Sequence, residues 1–277
     1  MAISAQEVNK LRQITGAGMM DCKVALTESN GDFDLAIEFL RKKGQKVSEK
    51  RADRETKEGT VFIQSNADNS LAVLVAIGCE TDFVAKNDDF QNLGKEVLAV
   101  AFEKQPAGID ELKALKAGTL TVGEKVTDLV GKIGEKIDVI AYEVLKGERV
   151  VSYIHAGSKL GVLVALKGVQ GADVADAGRN VAMQIAAMNP VSVSKDSVPA
   201  NVIERELSIG REQAINEGKP ANMIDKIAEG KLNKFFKENT LLSQAFVKDN
   251  NLTIAQYLDS VKKGLTVETF KRISVAS

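Results

Sequence analysis

The chain has 277 residues, a length that suits about two domains. Its 44% hydrophobic and 27% charged residues exclude a wholly disordered protein. The formal net charge of −1 argues against a protein that holds nucleic acid through a basic excess. With one His and two Cys, the chain has neither a His-rich metal site nor a disulfide scaffold.

The N-terminal residues lack the apolar stretch of a signal peptide. No apolar run approaches the length that a membrane-spanning helix requires. We therefore expect a cytoplasmic protein with no membrane association.

Residues 1–44 predict three short helices. Ser4 and Glu7 have the spacing of a capping box at the start of the first helix. Residues 19–28 carry the apolar side of a second helix, and Asp32 is placed to cap the third. About 40 residues approach the lower limit for an independent core, so a small one-layer bundle is expected.

The segment after these helices is strongly polar. Gly44 is expected to end the third helix, since glycine favours the position just past a helix C-terminus. Residues 45–58 have almost no apolar content and a local excess of positive charge. They are interpreted as a solvated linker or an exposed helix rather than as a nucleic-acid patch.

An internal repeat follows. Residues 61–77 match residues 150–166 at a constant offset, and each copy predicts a strand, a short turn and a strongly apolar strand. A helical pattern follows each copy. Because a two-stranded hairpin is marginal in water, each must gain another strand and pack a helix on one face. Candidate additional strands lie at residues 137–144, 245–247 and 267–275.

A helical hairpin interrupts the second half of this core. Residues 199–238 contain two amphipathic helical patterns separated by Gly218 and Pro220, which predicts an antiparallel helical hairpin. Two thin helices bury little surface, so this hairpin should protrude. The predicted division is a helical module at 1–44, a linker at 45–58, a core subdomain at 59–145, a second at 146–198 and 239–277, and the inserted hairpin at 199–238. The fold class is α+β, with two similar antiparallel sheet-and-helix subdomains.

Recognisable catalytic motifs are missing. The sequence has no glycine-rich phosphate loop ending in Gly-Lys-Ser or Gly-Lys-Thr, no G-x-S-x-G turn and no H-E-x-x-H helix. Asp88 and Asp89 are adjacent at a predicted helix start, where carboxylates are more often caps than catalysts. We expect no enzymatic activity, no metal, no cofactor and no direct nucleotide binding.

The two repeats differ where the strand leads into the helix. The second copy uses a short polar turn at residues 168–173, whereas the first has a longer loop that places Phe83 and Val84 beside Asp82. Aromatic residues in loops on rigid scaffolds are common binding anchors. Phe83 is therefore either such an anchor or a side chain of its own core.

Several segments resemble the translation elongation factor Ts family. Residues 11–26 match the N-terminal module of that family, and residues 81–87, TDFVAKN, match its signature loop. The resemblance covers nearly the whole chain in order. Many members continue with another helix after the strand that residues 267–275 resemble. The further matching segments are residues 30–32, 35–38, 133–135, 155–168 and 241–247.

The resemblance implies a guanine-nucleotide exchange factor for elongation factor Tu, a GTPase. It implies a ubiquitin-associated-like three-helix module, a core of two similar subdomains and a protruding coiled-coil hairpin. The TDFV loop would disturb the magnesium and phosphate site of Tu, and further residues would contact Tu. A homodimer or a heterotetramer is left open. The matching positions are Thr81, Asp82, Phe83 and Val84 in the loop, with Met19, Met20, Asp21, Ile133, Gly134 and His155 elsewhere.

Two alternatives come from other functional classes. An RNA-binding module would use the G-x-x-G spacing of residues 131–134 together with the basic stretch at 41–57. A general adaptor would grip another protein through the helical module without changing nucleotide binding by that protein. The neutral overall charge disfavours the first alternative, and a nucleotide-release measurement separates all three.

Overall fold

The computed structural model describes residues 3–275. Helices and small antiparallel sheets make up this part of the chain, which confirms the α+β class. The helices are α1 (Ala5–Thr15), α2 (Met19–Glu28), α3 (Phe33–Lys50), α4 (Asp82–Ala85), α5 (Asp88–Lys104), α6 (Ile109–Ala114), α7 (Val122–Ile133), α8 (Ala175–Met188), α9 (Ala200–Asn216), α10 (Ile224–Asn239) and α11 (Ile254–Val261). The strands are β1 (Glu58–Ser65), β2 (Leu71–Cys79), β3 (Lys116–Ala117), β4 (Leu120–Thr121), β5 (Ile137–Lys146), β6 (Arg149–Ile154), β7 (Leu160–Lys167), β8 (Ala245–Phe246), β9 (Asp249–Thr253) and β10 (Thr266–Ser274).

The three predicted N-terminal helices are present as α1, α2 and α3. The Ser4 hydroxyl accepts a hydrogen bond from the Glu7 backbone N–H, while the Glu7 carboxylate accepts one from the Ser4 N–H, which confirms the capping box. The Asp32 carboxylate caps α3 by accepting a hydrogen bond from the Leu35 N–H. A small core that includes Leu11 and Leu26 lies between these helices.

The prediction that α3 ends at Gly44 is wrong. The helix continues to Lys50, and Gly44 is buried inside it. The cause is tertiary packing: α3 crosses α7 at Gly131, and a Cβ atom at Gly131 would lie 2.6 Å from the Gly44 α-carbon. Glycine is therefore required here for close approach of two backbones and not for a left-handed turn.

Both predicted hairpins are present, and each gains a third strand as expected. β1 and β5 flank β2 in one antiparallel sheet, while β6 and β10 flank β7 in another. Residues 137–144 lie in β5, and residues 267–274 lie in β10. The third candidate contributes instead to a separate two-stranded sheet of β8 and β9.

The two three-stranded sheets pack face to face. Alternate residues of β2 point in opposite directions, so Val73 and Val75 pack toward the helices of their own half, whereas Ala72 and Leu74 pack toward the second sheet. Burial on both faces explains why β2 is a continuous apolar run. Gly161 of β7 leaves room for Leu74, whose side chain a Cβ atom there would approach to 2.9 Å.

The helices α9 and α10 fold back on each other between β7 and β10 in the chain. Gly210 packs against Ala228, and the Arg211 guanidinium donates a hydrogen bond of 2.7 Å to Asp225. Few side chains of this pair are buried. The buried residues of the two helices are Gly210, Ala214 and Ala228.

Candidate functional site

The segment with the family signature forms one helical turn. α4 follows β2 directly, and the Thr81 hydroxyl caps it by accepting a hydrogen bond from the Val84 N–H. The predicted loop between the strand and the next helix therefore contains a short helix, α4. Val84 and Ala85 are buried in the core of the first sheet, whereas Phe83 on the opposite side is 82% exposed. Phe83 is therefore a surface aromatic on a turn whose other side is anchored in the core.

Asp82 stands beside Phe83 on the same turn. Its carboxylate accepts a hydrogen bond of 2.7 Å from the Lys86 ammonium, one helical turn later. This hydrogen bond lowers the pKa of Asp82, and the positive charge of Lys159 acts in the same direction. Asp82 therefore presents a negative charge next to the exposed aromatic ring.

Two carboxylates hold the start of α4. Glu135 accepts hydrogen bonds from the Thr81 N–H at 3.1 Å and from the Thr81 hydroxyl at 2.9 Å. Glu80 accepts hydrogen bonds from the Lys136 N–H at 2.6 Å and from the guanidinium groups of Arg51 and Arg54, each at 2.8 Å. The base of the exposed turn is thereby connected to the residues that follow α7 and α3.

The environment of Glu80 keeps its carboxylate ionised. Desolvation by itself would raise the pKa of Glu80. The hydrogen bonds from the Lys136 N–H, Arg54 and Arg51 outweigh that effect and lower the pKa to about 2. Glu80 is consequently an acceptor for all of these donors at any physiological pH.

Ile133 and Gly134 lie at the end of α7, directly before Glu135. Gly134 has a φ of 81° and ends the helix in the left-handed conformation that favours glycine. Ile133 packs against the core of the first sheet with part of its surface left open. Since Glu135 bonds Thr81, the structure brings these two positions next to the signature turn.

Met19 and Met20 begin α2, where both side chains are exposed, by 53% and 67%. Asp21 forms an ion pair with Lys43 of α3. Exposed methionines are flexible and polarisable, which suits them to adaptable protein contacts. This pair forms an apolar surface on the N-terminal helices, separate in the chain from the signature turn.

His155 lies in the turn between β6 and β7, in the second sheet. Its side chain is exposed, and the Tyr153 hydroxyl lies 2.9 Å from Nδ1. The same turn touches the first sheet, because the Val61 N–H donates a hydrogen bond of 2.7 Å to the Ser158 carbonyl. His155 thus lies in a turn of the second sheet that also contacts β1 of the first sheet.

The site offers little for covalent chemistry. Among residues 3–275, no cluster of three or more His, Cys, Asp and Glu side chains is arranged to hold a metal ion. Burial raises the pKa of the Cys79 thiol to about 12, and the nearby charges of Glu135 and Glu58 add to the effect. Cys79 donates a weak hydrogen bond to the Thr81 carbonyl, so this thiol is a structural group at the base of the turn.

Sequence reasoning missed the supporting residues Glu80, Glu135, Arg51 and Arg54. Glu80 follows β2 directly, and Glu135 lies two residues before β5, 55 positions later in the chain. Their relation depends on the pairing of β2 with β5, which places Cys79 opposite Ile137. The signal in the sequence is an acidic residue directly after one strand and another shortly before its partner strand. It becomes meaningful once that register is known.

Comparisons with known proteins agree with the resemblance seen in the sequence. The model of the family described as elongation factor TS matches residues 80–277. A protein of Amoebophilus asiaticus named elongation factor Ts is 59% identical over 277 residues, covering the whole of both chains. The chain belongs to the elongation factor Ts family.

Other members of the elongation factor Ts family extend the agreement. One from Cytophaga hutchinsonii is 57% identical over 275 residues, which cover 99% of each chain. One from Christiangramia forsetii is 50% identical over 274 residues, covering 99% of this chain and 98% of the relative. Membership places the chain among the elongation factors of protein biosynthesis. Within residues 3–275, every helix is too short or too polar to cross a membrane.

Proposed function

We propose that this member of the elongation factor Ts family is a cytoplasmic guanine-nucleotide exchange factor for elongation factor Tu. The observation that carries the proposal is the 82% exposure of Phe83 on a turn anchored in the core by Val84 and Ala85. A large apolar side chain that is this exposed contributes little to the packing of the core. It is suited to enter a pocket on a partner, as an anchor residue does.

Exchange of this kind needs no covalent catalysis. A partner that binds the nucleotide-free GTPase more tightly than the GDP form must weaken GDP binding by the same factor. About 1.4 kcal/mol of this coupling changes the affinity tenfold. The chain itself then needs neither a nucleotide site, a metal nor a cofactor, and it is not an enzyme in the chemical sense.

The signature turn would act on the magnesium and phosphate site of Tu. Phe83 would insert beside that site, while the negative charge of Asp82 would compete with the phosphates for magnesium. Val84 would anchor the turn in the core, and Thr81 would cap its helix. Further contacts with Tu are proposed for Met19, Met20, Asp21, Ile133, Gly134 and His155.

The architecture proposed for this function has three parts. The helices α1 to α3 would form a ubiquitin-associated-like module, and the two sheets with their helices would be duplicated subdomains that bind different parts of Tu. The pair α9 and α10 would protrude as a coiled-coil hairpin. Self-association would take the form of a homodimer or of a heterotetramer with Tu.

The test is release of fluorescent GDP from purified elongation factor Tu after mixing with this chain. We expect the release rate to rise with the concentration of the chain and to saturate. Gel filtration of the mixture without nucleotide should give a stable complex that excess GDP dissociates. Complex formation without faster release would favour the adaptor function, and salt-sensitive binding of RNA without faster release would favour the RNA-binding function.

A further inference from the structure

The end of the β2–β5 ladder is closed by two side chains that cross over. The last ladder pair is Cys79 with Ile137. Immediately beyond it, the Glu80 carboxylate accepts the Lys136 N–H, and the Glu135 carboxylate accepts the Thr81 N–H. The two side chains thus satisfy backbone donors on each other's strand extension, where the regular backbone pairing has stopped. We call this pair of carboxylates the clasp.

The clasp acts on a turn that cannot be stable by itself. α4 has four residues, well below the length at which an isolated helix forms in water. Its backbone bonds run from the Ala85 N–H to the Thr81 carbonyl and from the Lys86 N–H to the Asp82 carbonyl, each at 3.2 Å. The acceptors of these two hydrogen bonds are the carbonyls of Thr81 and of its neighbour Asp82. Glu135 in turn accepts hydrogen bonds from the N–H and the hydroxyl of Thr81.

The clasp is also fastened to the N-terminal helices. Arg51 lies directly after α3 and Arg54 three residues further, and both bind the Glu80 carboxylate. The Lys136 ammonium donates a hydrogen bond to the carbonyl of Ala52 in the same segment. The segment after α3 is therefore bonded directly to Glu80, the residue that precedes Thr81.

We propose that Glu80 and Glu135 are positioning residues for the exposed turn. Glu135 fixes the Thr81 cap and hence the direction of Phe83, while Glu80 ties that turn to the end of α3. This inference rests on the proposed exchange function and specifies which residues make the turn rigid before it meets its partner. A turn that is already ordered loses less conformational entropy on binding, so its apolar anchor contributes more to affinity.

The first test uses the free chain and needs no partner. Amide hydrogen exchange at Ala85 and Lys86 reports opening of α4 directly. Glu135→Ala should speed exchange at both amides about tenfold, since hydrogen bonds to a charged group are lost. Glu135→Gln keeps one acceptor oxygen and should show a smaller change. The control Glu103→Gln removes an exposed carboxylate that pairs with its neighbour Lys104, and it should change neither amide.

The second test measures GDP release in a double-mutant cycle with Phe83. Glu135→Ala should slow stimulated release about tenfold in the wild-type background but change it little in the Phe83→Ala background. Glu80→Gln should follow the same pattern with a smaller loss. Equal losses in both backgrounds would overturn the positioning role, because the carboxylates would then act independently of Phe83.

The two tests separate failure of the clasp from failure of the proposed function. Unchanged amide exchange in both Glu135 variants would overturn the inference whatever the effect on GDP release. Normal GDP release by Phe83→Ala would instead contradict the role of the turn in exchange. In that case faster amide exchange in Glu135→Ala would still support the clasp as the element that orders α4.

Discussion

The α-carbons of Gly44 in α3 and Gly131 in α7 face each other at the point where the two helices cross. A Cβ atom at Gly131 would lie 2.6 Å from the Gly44 α-carbon, a separation that no side chain can adopt without displacing a backbone. Directly after α3, Arg51 forms an ion pair with Glu80 at the base of the signature turn. The N-terminal helices are therefore attached to the first sheet through helix packing as well as through the chain.

Gly131→Ala should destabilise the protein. Alanine favours a helix over glycine by about 1 kcal/mol, but overpacking at the crossing costs about 1–3 kcal/mol. We expect a net loss of about 1 kcal/mol in the free energy of unfolding, measured with chemical denaturant. Gly230→Ala in α10 is the matched control, because a Cβ atom there meets nothing within 4 Å. That variant should be more stable than wild type by about 0.5–1 kcal/mol, and the same sign for both variants would contradict the packing argument.

Phe83→Ala should leave the fold intact and impair nucleotide exchange. Because the ring is 82% exposed, the free energy of unfolding should change by less than about 1 kcal/mol. Binding to nucleotide-free Tu should weaken by about 2–4 kcal/mol, the range typical of anchor residues. Thermal melting checks the predicted stability, and stimulated GDP release from the same sample checks the predicted loss of exchange.

Phe90→Ala provides the contrast for that measurement. Phe90 is fully buried in the core of the first sheet, so its truncation should cost about 3–5 kcal/mol of stability. Folded Phe90→Ala protein should still promote exchange. A large loss of stability in Phe83→Ala with normal exchange per folded molecule would reverse the roles assigned to the two rings.

Replacing residues 200–238 with a short Gly-Ser connection should preserve the melting transition of the remaining protein. The segments that enter and leave this helical pair already lie side by side, since the Val191 N–H bonds the Asn239 carbonyl and the Leu241 N–H bonds the Ser192 carbonyl. Calorimetry should give a similar melting temperature for both proteins. Loss of the cooperative transition would show that α9 and α10 stabilise the core.

The contribution of Glu80 to stability should depend on pH in a defined window. Its pKa is about 2 in the folded chain, compared with an ordinary value of 4.5. Its ionised form therefore stabilises the fold fully above about pH 4.5, and this stabilisation disappears as the pH falls toward about 2. The difference in unfolding free energy between wild type and Glu80→Gln should be largest near neutral pH and shrink across that window. A constant difference would contradict the lowered pKa.

Local signals in the sequence predicted most of the elements. Ser4 and Asp32 cap helices by contacts within one turn, so their spacing was sufficient. The repeated apolar strands were recognisable because burial on both faces leaves no polar alternation. The prediction at Gly44 was wrong because glycine is favoured both where two helices pack closely and just past a helix C-terminus. The choice between them depends on α7, which lies about 80 residues away.

The candidate site was predicted in part. The sequence left two interpretations for Phe83, a binding anchor or a side chain of the core. Its exposure in the structure excludes a position in the core. The roles of Phe83 and of the other matched positions as contacts with Tu stay predictions. The sequence predicted no role for the Glu80 and Glu135 side chains, because their contacts beside the signature turn depend on the register of β2 with β5, a long-range property.

The order of strands in the second sheet has a consequence for synthesis on the ribosome. β7 is the central strand, yet its neighbour β10 is translated about a hundred residues later, after the whole α9–α10 hairpin. Until then, one edge of a strongly apolar strand has unpaired backbone groups, which is a template for aggregation. Translation of β10 therefore closes the sheet, and a nascent chain arrested before residue 266 should depend on chaperones to remain soluble.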